Sequence, residues 1–243
     1  MIFDRKKYKN FAKQQLQGRW GTAVLVTFII CLITSLFSIP DVVRMVKSEP
    51  FIELVNSDST NIQEMAILME DVSNSATSSI AAVVQMLVEA VLEMAALAFF
   101  LKMSRSPDTV FFTDFIEGFN SWFRAILACL WNFLWVFLWS LLFIIPGIIK
   151  GIAYSQIYYI LSEFKNVSVT KAMKISIAIT KGHKADIFVS YLSFIGWDIL
   201  AAISCGLGYL WLIPYKKMTF INIYHALMKE ALETGVIKPE DLQ

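Results

Sequence analysis

Gln85, Glu89 and Glu93 recur every four residues, so on a helix they form one polar stripe down one face. They stand inside an apolar run from about Ile80 to Leu101. Carboxylates at that spacing can work as an acid/base pair, bind a polar ligand, or neutralise buried cations. Lys216 and Lys217 are the cations at hand, in a second apolar run from about Tyr209 to Leu227. At the helical rise, both lysines lie ~12 Å and Glu89 ~13 Å below the same end of their helices. Asp198 and Gln156 reach a similar depth. Gln85, Glu89, Glu93, Gln156, Asp198, Lys216 and Lys217 therefore form the candidate buried polar cluster. Glu89 or Glu93 is expected to contact Lys216 or Lys217, with Asp198 competing for the same lysines. Packing ion pairs and a hydrated ligand cavity are both open readings of it.

Catalysis has little else to draw on. The chain has two histidines, His183 and His225, and no metalloprotease, serine-hydrolase, P-loop or dinucleotide motif. The cysteines, Cys31, Cys129 and Cys205, share no close spacing and read as small hydrophobes. No catalytic set, metal site or cofactor is expected. The net charge of +1 leaves no nucleic-acid footprint.

The elements that must carry these residues are membrane spans. Of 243 residues, 57% are hydrophobic and 17% charged, against about half and a quarter in soluble domains. A span needs about 20 apolar residues. Six stretches qualify or nearly so: about Trp20–Ile39, Ile80–Leu101, Ala125–Ile145, Ile148–Leu161, Ile187–Ser204 and Tyr209–Leu227. Pro40 is expected to stop the first. Pro146-Gly147 and Gly206-Leu207-Gly208 are expected to turn the chain between spans. The alternative is that Pro146-Gly147 only kinks one long helix, leaving five spans. The first stretch is too long, and lacks the small-residue cleavage site, for a signal peptide.

Charge sets the expected orientation. Arg5, Lys6, Lys7, Lys9, Lys13 and Arg19 precede the first span. Lys102, Arg105 and Arg124 lie between the second and third, and Lys165, Lys171, Lys174, Lys181 and Lys184 between the fourth and fifth. The segment from Asp41 to Ser79 instead carries Glu49, Glu53, Asp58, Glu64, Glu70 and Asp71. Both termini are therefore expected in the cytoplasm, with the acidic 41–79 loop outside a single integral domain over 1–243.

Each pair of spans follows an amphipathic segment that fits a helix lying in the headgroup layer. These carry Tyr8, Phe11, Ala12 and Leu16; Phe111, Phe112, Phe115, Ile116 and Phe119; and Val169, Ala172, Met173 and Ile179, with Ser176 interrupting the last face. The junctions are alike: Gly18-Arg19-Trp20, Trp122-Phe123-Arg124 and Gly182-His183-Lys184. Gly18 and Gly182 are suited to end a helix in the left-handed conformation. Three units of interfacial helix plus hairpin are the expectation.

Particular runs carry a resemblance. Leu141-Leu142-Phe143-Ile144-Ile145-Pro146-Gly147-Ile148-Ile149-Lys150, then Tyr154-Ser155 and Tyr159-Ile160-Leu161, are similar to the bacterial membrane family known as domain of unknown function 975. So are Lys181-Gly182-His183-Lys184, Leu192 to Trp197, Gly206 to Tyr215, and Gly18-Arg19-Trp20-Gly21 after Ala12-Lys13. Lys216-Lys217 stands where the resemblance leads one to expect small or hydroxyl residues. The resemblance implies a bacterial multi-pass cell-membrane protein and assigns no activity. The leading functional expectation is a non-enzymatic component that binds a lipid, a peptide or a small ligand. It would serve as a transport accessory or in membrane protection of the immunity type, with membrane lipids, a peptide or another membrane protein as partner. The acidic 41–79 segment favours cationic peptides. The alternative is a membrane-embedded enzyme acting on a lipid or lipid-linked substrate through Glu89 or Glu93.

Overall fold

The computed structural model describes residues 3–47, 79–106, 110–142 and 144–242, with 38–47, 79–81, 142 and 144 described through their backbone alone. Every regular element among them is helical. In chain order these are α1 (Arg5–Leu16), α2 (Trp20–Lys47), α3 (Ser79–Arg105), α4 (Phe112–Gly118), a 3-10 turn (Phe119–Ser121), α5 (Trp122–Leu142), α6 (Ile144–Tyr154), α7 (Ile157–Glu163), α8 (Val169–Ile179), α9 (Lys184–Leu192), α10 (Ile195–Ile203), α11 (Tyr209–Glu233) and a final 3-10 turn (Pro239–Leu242).

Among the described residues, four helical stretches are long and apolar enough to cross a membrane: Trp20–Phe37, Ala82–Arg105, Phe112–Leu141 and Lys184–Ile203. Two of the six expected stretches miss that standard, for different reasons. The fourth is divided at Ser155-Gln156 into α6 and α7. The sixth, α11, is long enough, but Lys216, Lys217, Asn222, His225 and Lys229 lower its hydropathy. The apolar helices leave much of their surface bare: Leu127, Leu130, Phe133, Leu134, Phe137 and Leu138 of α5 are all exposed. Soluble monomers rarely expose so continuous an apolar face, and these helices are compatible with an integral membrane protein.

Two compact units divide the chain, residues 1–28 with 90–243, and residues 29–89. Within the second, Thr34 Oγ1 donates to the Ile30 carbonyl and Gln85 Nε2 to Glu89 Oε1, each within one helix. The acidic residues from Glu49 to Asp71 lie outside the described residues. Pro40 does not stop its helix, because α2 continues through it to Lys47. A proline removes one backbone hydrogen bond and bends a helix, but a long helix can continue beyond it.

In the larger unit, the elbows order the packing. Gly18 and Gly182 adopt φ of 76° and 92°, the expected left-handed conformation. The next residue then reaches across. Arg19 donates to the carbonyls of Met103 (2.9 Å) and Ser106 (2.6 Å) at the end of α3, and to that of Gln15. Arg124 donates to the carbonyls of Leu161 (3.2 Å), Phe164 (2.9 Å) and Val167 (2.5 Å) at the end of α7. His183 Nε2 lies 2.9 Å from Glu230 Oε2 near the end of α11. Helix ends leave four carbonyls without intrahelical partners, and both arginines satisfy carbonyls there. At each of the three elbows a cation or imidazole thus ties the start of one helix to the end of a later one.

The short helices extend the same rule. A Cβ on Gly118 of α4 would sit 2.6 Å from Ala95 Cα of α3, so the two backbones touch. Ser176 of α8 donates to the Ala153 carbonyl of α6 at 2.7 Å and accepts from the Gln156 N–H. Asn222 of α11 donates to Gln15 Oε1 of α1 at 2.8 Å. Thus α4 rests on α3, α8 on α6, and α1 on α11. Ser176 does not interrupt its face; its buried hydroxyl is a tether. Phe11, expected beside Tyr8 and Leu16, is half exposed while those two are buried.

Pro146-Gly147 sits in the first turn of α6, not between helices. A Cβ on Gly147 would lie 3.2 Å from Ser140 Cα. Residues seven apart on one helix are ~10 Å apart along the axis, so the chain reverses between α5 and α6 and a single kinked helix is excluded. At the other reversal, a Cβ on Gly208 would lie 2.8 Å from Ala201 Cα.

Candidate functional site

Consecutive lysines on α11 point to different helices, because neighbouring positions are ~100° apart around the axis. Lys217 Nζ lies 2.5 Å from Glu93 Oε2 on α3. Lys216 Nζ lies 3.0 Å from both carboxylate oxygens of Asp198 on α10. Asp198 therefore holds the neighbouring lysine and does not compete for the one that Glu93 takes. Lys217 is largely buried, whereas the Glu93 side chain is 46% exposed. The field of Glu93 reaches Tyr158 and Tyr159 at and after the start of α7, and Tyr191 of α9. Tyr191 stacks on Phe220 with centroids 4.1 Å apart. Glu89 accepts from Gln85 on its own helix at 2.9 Å. Gln156 is buried at the α6–α7 break, where its amide donates to Ser155 Oγ; it belongs to the tether with α8, not to the lysines.

These pairs are balanced, one carboxylate to one lysine, and two of them staple α11 to α3 and α10. They present no nucleophile beside a base. Among the described residues no group of three or more metal-binding side chains converges.

A second polar network joins helix ends at the elbow side of the larger unit. Glu163 of α7 pairs with Arg105 of α3 and accepts from Tyr224 Oη of α11 at 2.5 Å. Gln15 Nε2 donates to the Ser104 carbonyl at 2.9 Å, and Ser104 Oγ lies 3.0 Å from His225 Nε2. Arg105 of α3 and Tyr224 of α11 thus meet at Glu163 of α7, which joins the ends of three helices.

A feature with room for a ligand lies elsewhere. A groove of about 690 Å³ runs between α1, the start of α2, α10 and α11. Trp20, Trp197, Leu200, Trp211, Leu212 and Tyr215 form its apolar walls. Lys13, Gln14 and Gln17 of α1 line it together with those walls, and Ser204 and Gly208 belong to the α10–α11 turn. Volumes of about 300–1,000 Å³ with mostly apolar lining and a few polar groups are usual for ligand sites. Lys13 Nζ stands 5.6 Å from the Tyr215 ring centroid. Beside it, Lys9 Nζ lies 4.0 Å and Lys216 Nζ 5.8 Å from the ring of Phe194, itself edge-on to Tyr215 at 5.5 Å. Lys9 also donates to the Ser193 carbonyl, 3.2 Å away, where α9 gives way to α10. Burial, reinforced by the charges of Arg5 and Lys13, pushes the Lys9 ammonium below its ordinary pKa.

Sequence reading did not find this groove, since its walls come from segments nearly 200 residues apart. The three tryptophans and the basic α1 were visible signals, but nothing in their spacing joins them.

No curated protein and no solved structure matches the chain. The sequence model of a family described as "Protein of unknown function (DUF975)" matches residues 1–152 and 133–231. With nearly the whole sequence covered by those two matches, the chain belongs to the DUF975 family.

Proposed function

We propose a non-enzymatic membrane protein of six spans that binds the acyl chain of a lipid in the groove between α1, α10 and α11. The observation that carries the reading is the groove itself, with Trp197, Trp211 and Leu200 all more than half exposed along it. An acyl chain laid there would cover apolar surface at ~25 cal/mol per Å². The short helices α1, α4 and α8 lie in the cytoplasmic headgroup layer, both termini are cytoplasmic, and α6–α7 and α11 cross as the fourth and sixth spans. The clustering of lysine and arginine before α2, α5 and α9 supports that orientation. Two polytopic features help the less apolar helices cross. The charges of α11 are paired, and α7 is buried at Ile157, Ile160 and Leu161.

A lipid-binding role is favoured over the embedded enzyme because the carboxylate of Glu93 is committed to Lys217. It is favoured over peptide capture because the groove walls are apolar and aromatic. The test is photo-crosslinking in membranes with a phospholipid bearing a diazirine on its acyl chain. Label is expected on peptides containing Trp197, Leu200 and Trp211, and Leu200→Trp, which fills the groove, should remove it. Label distributed equally over α5, or unchanged by Leu200→Trp, would reject the groove as the site.

A further inference from the structure

The basic side of the groove is unbalanced in charge. Lys9, Lys13 and Lys216 converge on the adjoining rings of Phe194 and Tyr215, and Asp198, bound to Lys216, is the carboxylate paired among them. Lys9 meets a carbonyl and an aromatic face; Lys13 meets an aromatic face. Three ammonium groups against one carboxylate leave an excess of two positive charges, one of which, on Lys13, lines the groove. Elsewhere Lys217 has Glu93 and Lys102 has Asp114, and Lys150 of α6 lies over the ring of Trp139, 4.3 Å from its centroid. An excess of cationic charge next to an apolar channel fits a ligand that is anionic at one end and apolar along the rest.

We propose that the groove selects an anionic phospholipid, its phosphate drawn to Lys13 in the field of Lys9 and Lys216 and one acyl chain lying against Trp197 and Trp211. This rests on the reading of the groove as an acyl-chain site. Several features support the head-group assignment. The side-chain amides of Gln14 and Gln17 line the same groove as Lys13 and supply neutral donors for phosphate or glycerol oxygens. Lys13 lies in the last turn of α1, on an exposed face, where its ammonium is free to move by several ångströms on a flexible stem. The lowered pKa of Lys9 has like charge among its causes, which an anion at Lys13 would relieve.

The test uses the full chain, purified in a mild detergent and exposed to an equimolar mixture of phosphatidylglycerol and phosphatidylcholine with identical acyl chains. Native mass spectrometry reads the ratio of the two lipids retained. Phosphatidylglycerol is expected in excess. Lys13→Gln should cut that preference about fivefold, the effect of one charge near an anionic head group, while total lipid retained stays close to wild type. Lys13→Arg should keep the preference. Leu200→Trp should reduce retention of both lipids. Equal retention by the wild type, or a preference that survives Lys13→Gln, overturns the head-group selectivity. Retention unaffected by Leu200→Trp and by Trp197→Ala overturns the chain site itself. Inorganic phosphate that displaces phosphatidylglycerol at comparable concentration would identify a free-phosphate site and overturn the lipid assignment.

Discussion

Lys217 of α11 reaches Glu93 of α3 across 124 positions of sequence and closes a 2.5 Å ion pair. The next lysine back, Lys216, is spent on Asp198. The two pairs divide the work of holding α11, one on each side. Because Lys217 is mostly shielded, losing Glu93 strands a cation where water is scarce. Because Glu93 is half exposed, the loss is smaller than for a fully buried pair.

Glu93→Gln and Lys217→Met should each lower stability in detergent by roughly 1–3 kcal/mol, and the double substitution should recover part of the loss. Thermal unfolding followed by intrinsic tryptophan fluorescence gives the cycle. Strictly additive losses would show that the pair contributes no coupling. Glu89→Gln, which touches only the Gln85 contact at 2.9 Å, should cost less than Glu93→Gln.

Arg124 is the sharper test of the repeat. Its guanidinium satisfies three carbonyls at the end of α7, at Leu161, Phe164 and Val167. Arg124→Ala should destabilise by about 2–4 kcal/mol, since buried carbonyls lose charge-assisted partners. Arg124→Lys should restore less than half, because an ammonium cannot span the same fork. Arg19, with its contacts to Met103 and Ser106, should show the same order. Limited proteolysis between α7 and α8 offers an independent measure for Arg124: cleavage should accelerate in Arg124→Ala and not in Arg19→Ala.

Two glycines can be told from a third by what surrounds them. Gly208→Ala should be destabilising by about 1–3 kcal/mol, because the new methyl meets Ala201 Cα at 2.8 Å, an atom of the backbone. Gly147→Ala should behave similarly against Ser140. Gly196→Ala, with open space around its Cβ and a helical backbone, should be neutral or stabilising by up to ~1 kcal/mol. Melting temperatures in one detergent order the three. An equal effect at Gly196 and Gly208 would contradict the close approach of α10 and α11.

Local signals in the sequence translated well into local structure. Gly18 and Gly182 end helices in the left-handed region, and helices stand at all three places where short ones were expected before the longer segments. Signals that depend on context translated less well. Pro40 and Pro146 read as stops, yet both lie inside helices, since a proline is tolerated in a first turn and bends a longer helix. Ser176 looked like a flaw in an apolar face until its acceptor, the Ala153 carbonyl 23 residues away, was in view. Matched depth put Glu89 level with the lysines, whereas Lys217 meets Glu93, one turn further along α3. Asp198 was expected to compete for either lysine and meets Lys216, because depth alone does not tell which side of α11 each lysine faces. The groove escaped entirely, as the meeting of Lys13 with Tyr215 depends on where α1 lies against α11, and no periodicity records that.

The native cysteines offer a direct reading of orientation without added tags. Cys205 is exposed in the turn between α10 and α11, at a positive φ of 54° that holds it outside either helix. Cys129 is buried in α5, and Cys31 is partly covered in α2, so both are less open to an impermeant reagent than Cys205. In the proposed orientation, with both termini cytoplasmic, the Gly206–Gly208 turn faces outward. Intact cells treated with a membrane-impermeant maleimide should therefore carry label on Cys205, and Cys205→Ser should abolish it. Opening the cells beforehand should add little. Label that enters Cys205 only after the membrane is breached would invert the whole arrangement, placing the basic elbows of Arg19, Arg124 and His183 on the outside.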